Sequence, residues 1–95
     1  MADAAAAAAR LLRLMGHDAR LMILCHLADR EQNVSTLERK VDLSQSALSQ
    51  HLARLRADGL VATRREGQCV YYRLASPAAA RVLAALQESY CPRRD

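Results

Sequence analysis

Cysteine supplies the most reactive side chains in this sequence, and two of the three cysteines have contrasting surroundings. Cys25 lies inside the apolar run LMILCHLA, where a thiol most often serves as core packing, since free cysteine is among the most buried residue types. Cys91 follows the last apolar segment and precedes Pro92-Arg93-Arg94, a poor setting for core packing. Neighbouring arginines lower the pKa of a thiol and favour the nucleophilic thiolate. Cys91 is therefore the stronger candidate for thiol chemistry.

The third cysteine, Cys69, lies in a strand-like segment and is interpreted as incidental, with a reactive exposed thiol as the alternative. Three cysteines cannot all pair within one chain, which argues against a disulfide scaffold. The histidines at positions 17, 26 and 51 lack the i, i+4 spacing of a helical metal site, so no metal is expected. No Ser-His-Asp order, nucleotide-binding loop or paired-carboxylate motif is visible. We therefore expect neither an enzyme nor a bound cofactor.

The net charge of +4 is unevenly distributed along the chain. Residues 1–43 are neutral overall, with six basic and six acidic side chains, whereas residues 44–73 carry five arginines against two acids. A basic segment of this kind indicates a polyanionic partner, nucleic acid first, although a solvated basic face is the simpler alternative. No apolar stretch reaches 18 residues and the start lacks a basic leader. These features predict a cytoplasmic protein without a membrane partner, in which thiols stay reduced by default.

The elements that must position these residues follow from periodicity and capping signals over a single domain, residues 1–95. We predict helices over about 3–15 and 18–28, a loop at 31–33, and a short helix started by a capping box of Ser35 and Glu38. On the second helix, Leu21, Leu24, Cys25 and Ala28 are expected to share one face.

After a tight turn, Ser44 is expected to cap a helix over about 45–57, with Leu48, Leu52 and Leu55 as its inner stripe. Gly59 ends that helix. Two strands, LVATRR and QCVYYRL, follow and are joined at Glu66-Gly67, a good hairpin signal. Ser76-Pro77 then opens a last helix that runs to about Tyr90 or Cys91.

A helix–turn–helix followed by a β-hairpin predicts a mainly α fold with a β-hairpin wing, the winged helix-turn-helix. In such folds the second helix of the pair, the recognition helix, enters the major groove of double-stranded DNA. Its predicted outer face carries small polar groups that allow close approach, and glutamine can bond adenine through two hydrogen bonds. The hairpin tip could reach phosphate or a minor groove. An ordinary polar surface is the competing interpretation.

The segment LSQSALSQHLARLRADGLVATRREGQCVYYRL resembles the recognition helix and wing of the ArsR family of bacterial winged-helix repressors. The resemblance spans about residues 10–91 and is most specific in S-Q-S-x-x-S-Q-H-L followed by L-R-x-x-G-L-V. It implies a homodimer formed through the first and last helices, bound to an operator with dyad symmetry. With the residues of the hairpin tip, the predicted DNA-contacting set is Ser44, Gln45, Ser46, Ser49, Gln50, His51, Arg54, Arg64, Arg65 and Gln68. For His51, which the helical wheel turns partly inward, packing is as good an interpretation as DNA contact.

Within that family, the metal sites formed by a Cys-x-Cys pair or by Asp and His on the last helix are absent here, because the corresponding segments read STLERKV and PAAARVLAALQESY. The chain instead resembles a subgroup that senses reactive sulfur species or oxidants through two cysteines. That resemblance implies a pair of Cys25, in LMILC, and Cys91, in SYC, that links as a disulfide or through bridging sulfur. The alternatives kept open are a metal-responsive repressor with an unrecognised site and an activator that displaces another repressor. A structural or protein-interaction role remains the rival class.

Overall fold

Five helices and three short strands make up the part of the chain that the computed structural model describes, residues 2–91. In order they are α1 Ala2–Met15, α2 Asp18–Asp29, β1 Gln32–Asn33, α3 Val34–Lys40, α4 Gln45–Ala57, β2 Val61–Glu66, β3 Cys69–Leu74 and α5 Pro77–Tyr90. The helical spans and the hairpin agree with the prediction to within a few residues. The fold class, mainly α with a β-hairpin wing, is confirmed.

A core of aliphatic side chains holds α3 and α4 against α2. Leu48, Leu52 and Leu55 of α4 are at most 2% exposed, which confirms the predicted inner stripe. Burying each such side chain contributes about 1.5–3 kcal/mol. The apolar face predicted for α2 is only partly buried, since Ala28 is exposed and Leu21 and Cys25 are half-buried. Its buried face is centred on Ile23, Leu24 and Leu27.

Two of the predicted helix starts are confirmed by their caps. The Ser44 hydroxyl accepts a hydrogen bond from the Ala47 amide at 3.1 Å, and Ser76 caps α5 in the same way ahead of Pro77. The predicted capping box at Ser35 was wrong. Asn33 caps α3 by accepting from the Thr36 amide at 2.8 Å, because asparagine is as strong a cap as serine and starts the helix earlier.

The predicted loop at 31–33 contains a short strand, which is a second correction. Gln32 pairs with Tyr72 and Asn33 with Tyr71, so the sheet has the order β1-β3-β2. Two residues are too short to give a strand signal in sequence. Their pairing depends on the neighbouring edge of β3, which lies nearly 40 positions further along the chain.

The hairpin turn is shifted by one residue from its predicted place. Glu66 pairs with Cys69, so the two-residue loop is Gly67-Gln68 and not Glu66-Gly67. Gly67 has a φ of 63°, and glycine is the residue that the first loop position of a type II′ turn requires. Since Arg64 then faces Tyr71 and Arg65 faces Val70, the two adjacent arginines lie on opposite faces of the hairpin.

Candidate nucleic-acid interface and thiol pair

The outer face of α4 is an exposed polar surface of the helix–turn–helix. Its predicted base-contacting side chains are all exposed, while the buried leucines hold the helix from behind. They are Gln45, Ser46, Ser49 and Gln50. The side chain of Ser44 is engaged as the cap of α4, although its hydroxyl hydrogen remains able to donate. This arrangement suits close approach to base edges.

His51 lies beside the N-terminus of α2 and not on the outer face of α4. Its ring centroid is 4.8 Å from that of His17, whose Nδ1 accepts a hydrogen bond from the Ala19 amide and so caps α2. Burial, the neighbouring His17 and the Arg20 guanidinium together hold the pKa of His51 below its ordinary value. The geometry therefore favours the packing interpretation over contact with DNA.

Arg54 lies on the flank of α4, with its side chain 67% exposed. Its Nε is 3.8 Å from a carboxylate oxygen of Asp58, which also pairs with Arg10 of α1. One carboxylate thus balances two guanidinium groups, which leaves positive charge next to the polar face of α4. Arg54 keeps the exposure that a phosphate contact needs.

The residues predicted at the wing have different surroundings. Arg65 and Gln68 are exposed at the tip, and Arg64 is exposed as well, with 46% of its side chain accessible. Arg64 is bound by Glu31, with Nε donating to both carboxylate oxygens at 2.8 Å, and its guanidinium lies 4.5 Å from the centre of the Tyr71 ring. Sequence reasoning missed Glu31, since an acid in a loop 33 positions away carries no signal of this contact.

Cys25 and Cys91 belong to two helices that pack against each other. Cys25 is half-buried on α2, and Cys91 is the exposed C-cap of α5, with its amide donating to the Gln87 carbonyl. The pKa of the Cys25 thiol is raised mainly by burial, then by negative charge on Cys91 and Asp29. Cys25 thus lies on a helix that packs against α5, at whose C-terminal end Cys91 is placed.

The other predictions about thiols and metals have these outcomes. Cys69 is exposed at the base of the wing turn, and all three thiols are free. The predicted influence of Arg93 and Arg94 on Cys91 lies outside the described residues. Across residues 2–91, no three His, Cys, Asp or Glu side chains come together as a metal site. No helix in that range is both long and apolar enough to cross a membrane.

Comparison with known proteins places this arrangement in a family. Residues 17–63 match the family described as bacterial regulatory protein, arsR family. The chain is 51% identical to the transcriptional activator HlyU of Vibrio cholerae, over 85% of this chain and 75% of that protein. It is 48% identical to the biofilm growth-associated repressor of Agrobacterium fabrum, over 85% of this chain and 69% of that protein.

Solved structures agree with the sequence comparison. Reduced HlyU from Vibrio cholerae superimposes with a TM-score of 0.92 at 48% identity, covering 97% of each chain. The transcriptional repressor BigR from Xylella fastidiosa gives 0.89 at 38% identity, over 98% of this chain and 95% of that one. The chain therefore belongs to the arsR family of bacterial regulatory proteins, and it is a winged-helix, DNA-binding transcriptional regulator rather than an enzyme.

Proposed function

We propose that this protein is a homodimeric repressor that binds a dyad-symmetric operator in its reduced form and releases it when Cys25 and Cys91 become linked. The packing of α2, which carries Cys25, against α5, which ends at Cys91, supports the proposal. The link is either a direct disulfide or a bridge containing added sulfur. The inducer is a reactive sulfur species or another oxidant.

The two cysteines take different parts in this reaction. Cys91 attacks first because it is exposed, whereas Cys25 is half-buried and burial raises its pKa. With a persulfide RSSH, the Cys91 thiolate attacks the outer sulfur and expels RS⁻, which leaves a Cys91 persulfide. The Cys25 thiolate then attacks the Cys91 sulfur and expels HS⁻. The sum is two protein thiols and RSSH giving the disulfide, RSH and hydrogen sulfide, so the persulfide is the oxidant.

In this proposal, the Cys25–Cys91 link weakens DNA binding by changing the geometry of the dimer. The helices α1 and α5 leave apolar side chains in solvent, including Leu12 at 56% and Tyr90 at 78% exposure. A second copy would cover them, and a symmetric dimer places the recognition helices about 34–36 Å apart, one turn of DNA. Tying α2 to the end of α5 would shift that spacing and remove contacts from at least one half-site.

In the proposed DNA complex, the exposed polar side chains of α4 and of the wing tip contact different parts of the duplex. Base edges are contacted by the exposed polar side chains of the first half of α4, which are Gln45, Ser46, Ser49 and Gln50. Arg54, Arg65 and Gln68 contact the DNA backbone on either side of those side chains.

The test measures DNA affinity before and after a polysulfide donor, using the DNA upstream of the protein's own gene, with intact mass and sedimentation on the same samples. Wild type should sediment as a dimer, lose affinity by about ten- to a thousandfold and gain an intramolecular Cys25–Cys91 link. Cys25→Ser and Cys91→Ser should bind DNA and ignore the donor. Cys69→Ser is the matched control and should respond as wild type does. Release of DNA by treated Cys91→Ser, or a monomer at micromolar concentration, would contradict the proposal.

An activator that displaces another repressor is the second candidate, supported by the name of the relative in Vibrio cholerae. The same DNA binding would then have the opposite effect on transcription. Transcript levels of the bound genes in a deletion strain separate the two roles, since they rise if a repressor is lost and fall if an activator is lost.

A further inference from the structure

A polar bridge crosses the outer face of the wing sheet. Glu31 directly precedes β1, Arg64 lies on β2, and Tyr71 lies on the central strand β3 between them. The Arg64 Nη2 atom is 2.7 Å from Glu31 Oε1, in addition to the two bonds from Nε. The Tyr71 ring supports the guanidinium from below at 4.5 Å. The bridge therefore joins the two outer strands over the central one.

The guanidinium of Arg64 is already engaged by carboxylates, although 46% of its side chain is exposed. Its guanidinium is shared between Glu31 and Glu66, the latter at 3.3 Å, so the cluster carries one positive and two negative charges. A fork that donates to a carboxylate through two nitrogens is a strong and directional pair. The pKa of Glu31 is held below its ordinary value, mainly by the hydrogen bond from Arg64, which agrees with this geometry.

The backbone pairing of the wing indicates which segment the Glu31–Arg64 bridge restrains. The strand β1 follows α2 after Arg30 and Glu31 and contributes only two residue pairs to the sheet. Beyond those two pairs, the wing consists of β2 and β3 alone. A two-stranded hairpin is only marginally stable by itself. A side-chain tie from the end of α2 to the middle of β2 restrains that hairpin relative to the helical body.

We propose that Glu31 is a positioning residue for DNA binding, which holds Arg64 across Tyr71 and thereby fixes the angle of the wing. Arg64 is then a structural member of the wing, and Arg65 on the opposite face is its phosphate contact. The inference rests on DNA binding and is independent of the thiol switch.

The experiment compares Glu31→Gln, Arg64→Ala, Arg64→Lys and the double variant Glu31→Gln/Arg64→Ala, with Arg65→Ala as the control. Affinity for a mixed-sequence DNA duplex is measured over a series of salt concentrations. Glu31→Gln, Arg64→Ala and Arg64→Lys should each bind roughly two- to tenfold more weakly, and the double variant no more weakly than the worse single variant, as expected for coupled residues. The salt slope should stay unchanged in all of them but fall by about one in Arg65→Ala.

Amide hydrogen exchange of the free protein provides a readout that is independent of DNA. The amides of β2 and β3 near the turn should exchange faster in Glu31→Gln and Arg64→Ala, and at the wild-type rate in Arg65→Ala. If Arg64 instead binds phosphate, Arg64→Ala will reduce the salt slope as Arg65→Ala does, and Glu31→Gln will strengthen DNA binding by releasing Arg64. Either result overturns the proposal, as does unchanged exchange in the wing.

Discussion

The recognition helix and the wing are both rich in groups that can bind DNA, but they are attached to the body of the protein in different ways. The helix α4 is held by three buried leucines on one side, so every polar group on its other side is available to a partner. The hairpin of the wing is held partly by polar contacts, in which Arg64 donates to Glu31 ahead of β1 and lies over the Tyr71 ring. A polar group that holds an element in place is engaged and less available to DNA. An element held by apolar packing therefore keeps more polar groups free for DNA than an element held by polar contacts.

Removing an apolar anchor of α4 should have the largest effect. Leu52 is 2% exposed, and Leu52→Ala should lower the free energy of unfolding by about 2–5 kcal/mol through lost burial and the cavity left behind. Urea denaturation measures the change. The exposed neighbour Ala53 offers a control, since Ala53→Ser should change stability by about 0.5 kcal/mol at most. Equal costs for the two variants would show that α4 does not depend on its buried stripe.

Removing base contacts from α4 should change selectivity and leave stability intact. Gln45→Ala and Gln50→Ala should each cost roughly 1–3 kcal/mol of binding to the preferred sequence, because a glutamine amide can bond a base edge at two points. The measurement is competition between the upstream DNA and a mixed-sequence duplex. Gln68→Ala at the wing tip is the comparison, and it should weaken binding to both DNAs alike. If selectivity survives both α4 substitutions, the open face of α4 is not the surface that contacts bases.

The histidine contact between α4 and α2 should give a smaller, pH-dependent effect. The pKa of His51 is lower in the folded protein than its ordinary value near 6.5, so the unfolded chain binds the proton more tightly. The stability that this histidine contributes is complete above that ordinary value and is lost as the pH falls through the folded value. Thermal unfolding of wild type and His51→Gln between about pH 7.5 and 5.5 should show a steeper decline in wild type. Parallel curves would indicate that His51 is not packed as described.

The sequence predicted the parts of this fold that local patterns determine, and it missed those that distant pairings determine. The leucine stripe of α4 and the serine caps at Ser44 and Ser76 depend on residues within a few positions of each other, and they are confirmed. The strand β1 depends on residues nearly 40 positions away, so no local pattern could reveal it.

The candidate site follows the same division. Exposure of Gln50 follows from helical periodicity, which places it opposite the leucines. Gln45 is exposed because it is the first residue of α4. The engagement of Arg64 by Glu31 requires knowing that β1 and β2 flank the same strand. A pairing of Cys25 with Cys91 is implied only by resemblance and stays a prediction, because two positions 66 residues apart have no geometric relation in sequence alone.

The short strand β1 also has a consequence for solubility. Exposed strand edges present unpaired amide and carbonyl groups, on which another chain can add a strand and begin to aggregate. By pairing with Tyr71 and Tyr72, β1 covers one edge of the aromatic central strand and leaves β2 as the outer strand on the other side. That remaining edge carries the charged run Arg64-Arg65-Glu66, the kind of sequence that discourages edge-to-edge association. The charges of this edge thus help to keep the wing from pairing with other copies of itself.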